Sequence, residues 1–410
     1  MHLPMNGVRV LEVAQYTFVP SAAAVLADWG AEVIKVEHAE YGDAQRGLVS
    51  VMGLDGGVSG CSFFPVMEGP NRGKRSVGIA LDRPEAGPVL AKLIQRSDVF
   101  LTNYLPRAQA KLGIDCRSIR ALNPDIIYVR GSGFGQRGPE RDKGGYDSTA
   151  FWARAGTGDG VTEPGADQMP HMPTGAFGDN IGGVTIAGGI AAALYARATT
   201  GQTSVVDVSL LAVGAWAMQF AVNLAMLVGG PPPESVQPRH GSARNPLSGT
   251  YKTCDDRWLM LTMLQPGKYW PEFCTAVGRP ELASDPRFTD ADSIMANAAE
   301  AAEIVAEIIA EHDFGHWRAA LDNVRGQWAA VQDPWEVSQD TSLRVNGYIT
   351  TVTDADGKER ELVNNPVQFD EIPTQLRRAP QFAEHTDDVI RELGFTEEEL
   401  IELKIAGAIT

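Results

Sequence analysis

Asp179 stands in the segment Pro173-Thr-Gly-Ala-Phe-Gly-Asp-Asn-Ile-Gly-Gly183, a lone carboxylate among small residues just ahead of an uncharged, helix-like stretch. Glycine has no Cβ and tolerates unusual backbone angles, so Gly178, Gly182 and Gly183 would let a bulky substrate and backbone N–H groups converge on one carboxylate oxygen. A nucleophilic aspartate needs that access. The same pattern also fits a turn with an aspartate capping a helix N-terminus, and the local sequence leaves both readings open.

Other constellations are weaker. Gly133-Phe-Gly-Gln-Arg-Gly138 matches G-x-G-x-x-G after a strand, but Pro139 and Glu140-Arg-Asp-Lys-Gly-Gly145 follow where a phosphate-binding helix would have to open, which argues against a nicotinamide cofactor. Asn71-Arg-Gly-Lys-Arg75 sets three cations beside a glycine and reads either as an anion cradle or as a solvated basic turn. His312 and His316 are four apart, yet Asp313-Phe-Gly315 interrupts the helical pattern, so no metal site is expected. Gly-x-Ser-x-Gly is missing, and the dispersed cysteines (Cys61, Cys116, Cys254, Cys274) read as reduced packing residues of a cytoplasmic protein.

The elements that must position these residues begin as strand, helix, strand: Val8–Val13, Pro20–Trp29 and Ala31–Val36. The alternation continues with helices over Pro84–Arg96 and Ala108–Leu112 and strands at Val99–Thr102 and Ile126–Arg130. It predicts an α/β fold with a parallel sheet covered on both faces and a ligand crevice at the strands' carboxyl ends. Residues 1–225 read as a large Rossmann-like domain, 226–330 as a smaller α+β domain after the Gly229–Pro246 linker, and 331–410 as a C-terminal segment returning to the first. The uncharged run Val208–Pro233 is long enough for a membrane span, but Gln219, Asn223 and its glycines predict a buried core or interface helix. With 52 acidic and 35 basic residues, net charge −17, the chain repels nucleic acid and anionic membranes, so an anionic ligand needs a local basic cluster.

Several motifs, taken in order, resemble one family. They are Val10-Leu-Glu-Val13, Leu26-Ala-Asp-Trp-Gly-Ala-Glu-Val-Ile-Lys-Val-Glu37, Asn71–Ser76, Thr102-Asn-Tyr-Leu-Pro106, Gly131–Gln136, Gly178-Asp179, Thr200-Gly-Gln202 and Glu384-His-Thr386. Together, over nearly the whole chain, they resemble the class III CoA-transferases. That resemblance implies an interlocked homodimer that moves CoA from an acyl-CoA to a carboxylic acid, with no tightly bound cofactor, through aspartyl anhydride and aspartyl-CoA thioester intermediates on Asp179.

By position the resemblance places Thr17, Phe18, His38, Arg72, Lys74, Arg75, Asn103, Tyr104, Lys111 and Ser132, Gly133, Phe134 and Gly135 around CoA. His38 and Lys111 stand where relatives often carry arginine. The glycine-run loop of formyl-CoA transferase is replaced by Arg239–Pro246. The same fold includes α-methylacyl-CoA racemases, whose Gly-His-Asp reads Gly145-Tyr146-Asp147 here. Tyrosine, with a pKa near 10, is a poor base at neutral pH, which favours transfer over racemisation. A non-catalytic acyl-CoA-binding protein is the other alternative. Tyr146, Phe151 and Trp152 are expected to wall an apolar acyl pocket, although core packing explains Phe151 and Trp152 almost as well.

Overall fold

The computed structural model describes residues 3–48, 50–51, 54–55, 63–163, 165–231 and 245–410. Two compact units emerge: Met1–Val222 with Thr341–Thr410, and Asn223–Asp340.

The first unit is built on a six-stranded parallel sheet. Its chain order runs β1 (Arg9–Val13), α1 (Phe18–Asp28), β2 (Glu32–Glu37), a short antiparallel pair β3 (Ser50–Val51) and β4 (Leu54–Asp55), α2 (Pro65–Asn71), β5 (Arg75–Gly78) and α3 (Gly87–Gln95). Then come β6 (Val99–Thr102), α4 (Pro106–Leu112), α5 (Cys116–Leu122), β7 (Ile127–Ser132), α6 (Phe177–Thr200), β8 (Val205–Ser209), α7 (Leu210–Ala217) and α8 (Gln219–Val228). The strands lie in the order β5-β2-β1-β6-β7-β8, all neighbours parallel.

Successive strand residues point to opposite faces, and here they feed two cores. Val10, Val33, Val99, Leu101, Ile127 and Val129 pack with α1 and α6. Leu11, Val36, Phe100 and Tyr128 pack with α3, α5 and the chain's last residues. Those last residues, α15 (Thr386–Glu392) and α16 (Glu397–Ile405), follow α14 (Thr341–Val345) and the hairpin of β12 (Ile349–Thr353) with β13 (Glu359–Val363). They close on β5 through His385 N–H to Ser76 O (2.9 Å) and Ala80 N–H to Ala408 O (2.8 Å).

The second unit holds a three-stranded antiparallel sheet of β9 (Ser248–Lys252), β10 (Trp258–Thr262) and β11 (Trp328–Ala330). Helices α9 (Pro266–Ala276), α10 (Ala291–Ala296), α11 (Ala298–Ile309) and α12 (Phe314–Ala320) share its core around Trp270, Phe273 and Trp317. His312 and His316 stack at 3.9 Å against Trp317.

The uncharged run departs from expectation. It is not one buried helix: α7 and α8 break at Met218 and diverge by 76°. α7 buries Leu210, Val213 and Gly214, whereas α8 buries no residue and Phe220 is 78% exposed. α6, with 24 residues, is apolar enough to match a membrane span by composition, but it packs along α1 inside the first unit. The close approach of α1 and α6 depends on glycine. A Cβ on Gly182 would lie 2.3 Å from Phe18 Cε2, and one on Gly183 would lie 2.0 Å from Ser21 Oγ.

Candidate active site

Asp179 occupies the first turn of α6, third in the helix after Ala176, which takes the left-handed conformation at φ 60°. It is therefore not the helix cap. Its carboxylate has no hydrogen bond or ion pair among the described residues. Burial first, and the neighbouring Asp147 second, push its pKa up to about 7. A carboxylate deprived of donors and water is a stronger base and nucleophile than one on the surface. Asp147 is itself 7% exposed. It accepts the Ser148 N–H at 2.8 Å at the start of a π-helical turn, Ser148–Arg154.

Asp179 opens on a cleft of about 560 Å³, within the usual range for a small-molecule site. The cleft lies beyond the carboxyl ends of β1, β6 and β7, where open parallel sheets place their ligands. Gln15, Tyr16 and Phe18 form one side, Asn103 to Pro106 the next, and Gly131 to Gly133 with Gln136 and Arg141 the floor; Gly144, Gly145, Tyr146, Thr149 and Leu210 complete it.

The β1–α1 turn is clamped from both flanks. Asn103 Oδ1 accepts the Gln15 N–H at 3.1 Å while its amide donates to Gln15 O at 2.6 Å, and Gln15 Nε2 donates to the Tyr104 hydroxyl at 3.0 Å. Tyr16 sits at φ 64°, a region costly for a bulky residue, and its N–H is held by Asp43 Oδ1 at 3.0 Å. Asp43 is anchored by the buried Lys35 at 2.7 Å. The Tyr16 ring meets Tyr146 edge-on at 5.6 Å, and the neighbouring Tyr146 hydroxyl, with burial, raises the Tyr16 pKa.

A second hollow of about 200 Å³ is lined by Val13, Glu37, His38, Leu81, Asp82, Tyr104 and Leu112, and shares Tyr104 with the main cleft. His38 stacks on Tyr41 at 4.8 Å and lies 3.8 Å from Asp82.

The profile of CoA-transferase family III matches residues 5–386. The chain belongs to this family. The (R)-2-hydroxy-4-methylpentanoate CoA-transferase of Clostridioides difficile is 31% identical, with 98% of each chain covered. The cinnamoyl-CoA:phenyllactate CoA-transferase of Clostridium sporogenes is 29% identical over 97% of this chain and 95% of its own length. A CAIB/BAIF family protein from Brucella suis superposes with a TM-score of 0.79 at 25% identity, covering 96% of this chain and all of that one.

In this CoA-transferase, Phe18, Asn103, Tyr104, Ser132, Gly133, Tyr146 and Asp179 come together around the cleft, with His38 in the adjoining hollow. Lys111 is exposed in the last turn of α4, beside Leu112 of that hollow. Phe134 and Gly135 stand just behind the floor: Phe134 packs against Gly145, and Gly135 donates its N–H to Ser132 Oγ at 3.1 Å. Thr17 is turned away, its hydroxyl donating to Gln45 at 3.1 Å.

The basic cradle is corrected. Arg72 is buried in a forked pair with Asp28 at 2.8 to 3.2 Å. Lys74 is fully buried on Glu12, which it shares with Lys35. Burial pushes Lys74 down to about 8, against the pull of Glu12; burial acts the same way on Lys35, but Glu12, Asp43 and Glu37 outweigh it and raise that pKa. Arg75 forks onto Glu392. Arg72 and Lys74, satisfied by buried carboxylates, are not on offer to a phosphate, whereas Arg75 and its partner Glu392 are both partly exposed.

Two further expectations change. Phe151 and Trp152 do not wall the cleft; Phe151, 1% exposed, is a core ring lying under Gly178, and Trp152 donates its indole N–H to Pro170 O at 3.0 Å. Gly178, Gly182 and Gly183 admit Phe151, Phe18 and Ser21, so their lack of a side chain serves packing instead of substrate approach. The Arg239–Pro246 segment falls largely outside the described residues, as does Cys61.

Tyr16, Gln136, Arg141, Leu81 and Asp82 were missed by the sequence reading. The rule that ligands sit beyond the carboxyl ends of parallel strands would have found Leu81 and Asp82, which follow β5 as His38 follows β2.

Proposed function

We propose that this CoA-transferase moves CoA between carboxylic acids through covalent intermediates on Asp179. The observation that carries the reading is the half-buried, unpaired Asp179 carboxylate at the wall of the cleft. One Asp179 oxygen attacks the thioester carbon, a C–O bond forms, and the collapsing oxyanion breaks the C–S bond to release CoA thiolate and an acyl-aspartyl anhydride. The thiolate then attacks the aspartyl carbonyl, freeing the donor acid and leaving an aspartyl-CoA thioester. An acceptor carboxylate repeats the two steps in reverse. Charge is conserved throughout, one carboxylate or thiolate replacing another, so no proton has to move. The acyl group stays activated only while water is kept out, which the apolar surroundings of Asp179 favour.

CoA would lie with its thiol end at Asp179, its pantetheine arm along Gln15 and Asn103 to Pro106, and its nucleotide toward His38, Leu81 and Leu112. Arg141, Lys111 and Arg107 supply the reachable cations. The apolar sides of Phe18, Leu105, Leu210 and the Tyr16–Tyr146 pair suit an acid with an apolar substituent, in keeping with relatives named for 2-hydroxy-4-methylpentanoate and phenyllactate. The working form would be an interlocked homodimer, and the exposed Trp216 and Phe220 are apolar surface compatible with one.

The test is incubation with a panel of acyl-CoAs, hydroxylamine trapping and peptide mass spectrometry. A hydroxamate at Asp179 is expected; an adduct elsewhere, or transfer that survives Asp179→Ala, rejects the reading. Racemisation would instead show as α-deuterium uptake without any acceptor acid.

A further inference from the structure

Asp147 opens the π-helical turn whose Phe151 ring packs on Gly178, one residue before Asp179, and among the described residues it is the one charged group that raises the Asp179 pKa. It is nine-tenths buried, and its Oδ2 is without a hydrogen-bond partner. Oδ1 takes the Ser148 N–H. Burial raises the pKa of this carboxylate, and the backbone N–H groups of Ser148, Gly178 and Asp179, the last two in the first turn of α6, offset part of that rise. A buried orphan oxygen beside a second, half-buried carboxylate is costly and calls for a reason.

We propose that Asp147 is a positioning residue and charge partner of Asp179: it steadies the first turn of α6 from outside the helix, and its negative charge opposes that of the ionised nucleophile. The repulsion is relieved when the Asp179 oxygen bonds to the acyl carbon and the negative charge departs on the CoA thiolate. Like charges in one dry site raise proton affinity and disfavour the doubly ionised state. Acylation removes one of the two charges, so the pair biases Asp179 toward the anhydride.

Among the described residues no other charged group raises the Asp179 pKa. α1 carries only Asp28, held by Arg72, and α7 carries none. On α6 Arg197 is bound to Asp98, and on the neighbouring strands Arg130 is bound to Asp207. Tyr16, Tyr104, Tyr146 and Arg141 line the cleft, but Asp147 is the sole electrostatic cause behind the raised Asp179 proton affinity.

This inference rests on Asp179 as nucleophile, and two measurements separate them. Asp147→Asn keeps an oxygen for the Ser148 N–H and removes the charge; Asp147→Ser is a smaller neutral alternative should the first fold poorly. Carboxyl carbon NMR of the free protein, with Asp179→Asn to assign the resonance, is expected to show the Asp179 midpoint falling by about one pH unit in the neutral variants, a tenfold loss of proton affinity. The pH profile of hydroxylamine-trapped adduct should move by the same amount, with a lower plateau rate. An unmoved NMR midpoint in a variant with wild-type Tm overturns the charge-partner role. A shifted midpoint with no adduct leaves that role standing and rejects the nucleophile instead.

Discussion

An ionised Asp179 is expensive where it stands. Its pKa is raised from the ordinary 3.8 to about 7, so the folded protein holds a proton there that the unfolded chain has already lost, and stability falls as pH climbs from about 4 to 7. Above pH 7 the penalty is complete, about 4 kcal/mol as an upper bound. Asp179→Asn is therefore expected to be more stable than the wild type at pH 8 by up to that amount, and indistinguishable near pH 4, while losing transfer activity. Urea titrations at the two pH values check it; equal stability at both would mean the site does not strain the carboxylate. Activity follows the opposite sign, because the attacking form is ionised: single-turnover acylation should rise through pH 7. At this scale the local sequence around Asp179 fitted a helix cap as well as a nucleophile, and only the ordered motifs on either side singled the residue out. Arg72 and Lys74 were not legible, because Asp28 and Glu12, which absorb their charge, lie 44 and 62 residues away along the chain.

At the scale of elements, α1 and α6 bring Phe18 and Asp179 to the cleft, and glycine sets their separation. In an exposed helix position Gly→Ala gains about 1 kcal/mol from propensity. Gly188→Ala meets nothing within 4 Å and should gain roughly that amount. Gly182→Ala drives a methyl to 2.3 Å from the Phe18 ring. Overpacking of about 1–3 kcal/mol then outweighs the propensity gain, and the ring that lines the cleft must move. Denaturation midpoints should shift in opposite directions for the two variants, with kcat/KM falling only for Gly182→Ala; a stabilised Gly182→Ala would refute the packing role. The alternation of strands and helices was readable from apolar runs and breakers. The break at Met218 was not, because nothing in an unbroken uncharged run marks where packing turns one helix away from the next.

At the scale of the whole molecule, the acidic balance acts against a polyanionic substrate. The net charge of −17 repels acyl-CoA at long range, and the cations expected to offset this near the cleft are partly spent: Arg72 and Lys74 are buried on carboxylates. Among the described residues Arg141 lines the cleft, with Arg107 and Lys111 on the adjoining α4. Screening lengths shrink from about 30 Å at 0.01 M salt to about 10 Å at 0.1 M, so added salt weakens the distributed repulsion before it weakens short contacts inside the cleft. The kcat/KM for acyl-CoA is therefore expected to rise over that range and to fall only at higher ionic strength. A monotonic decline from 0.01 M would mean that attraction by the cleft cations outweighs the acidic field of the protein as a whole. Replacing Arg141 by Gln should then deepen the low-salt loss, since it removes a positive group from the cleft floor while leaving the acidic field in place.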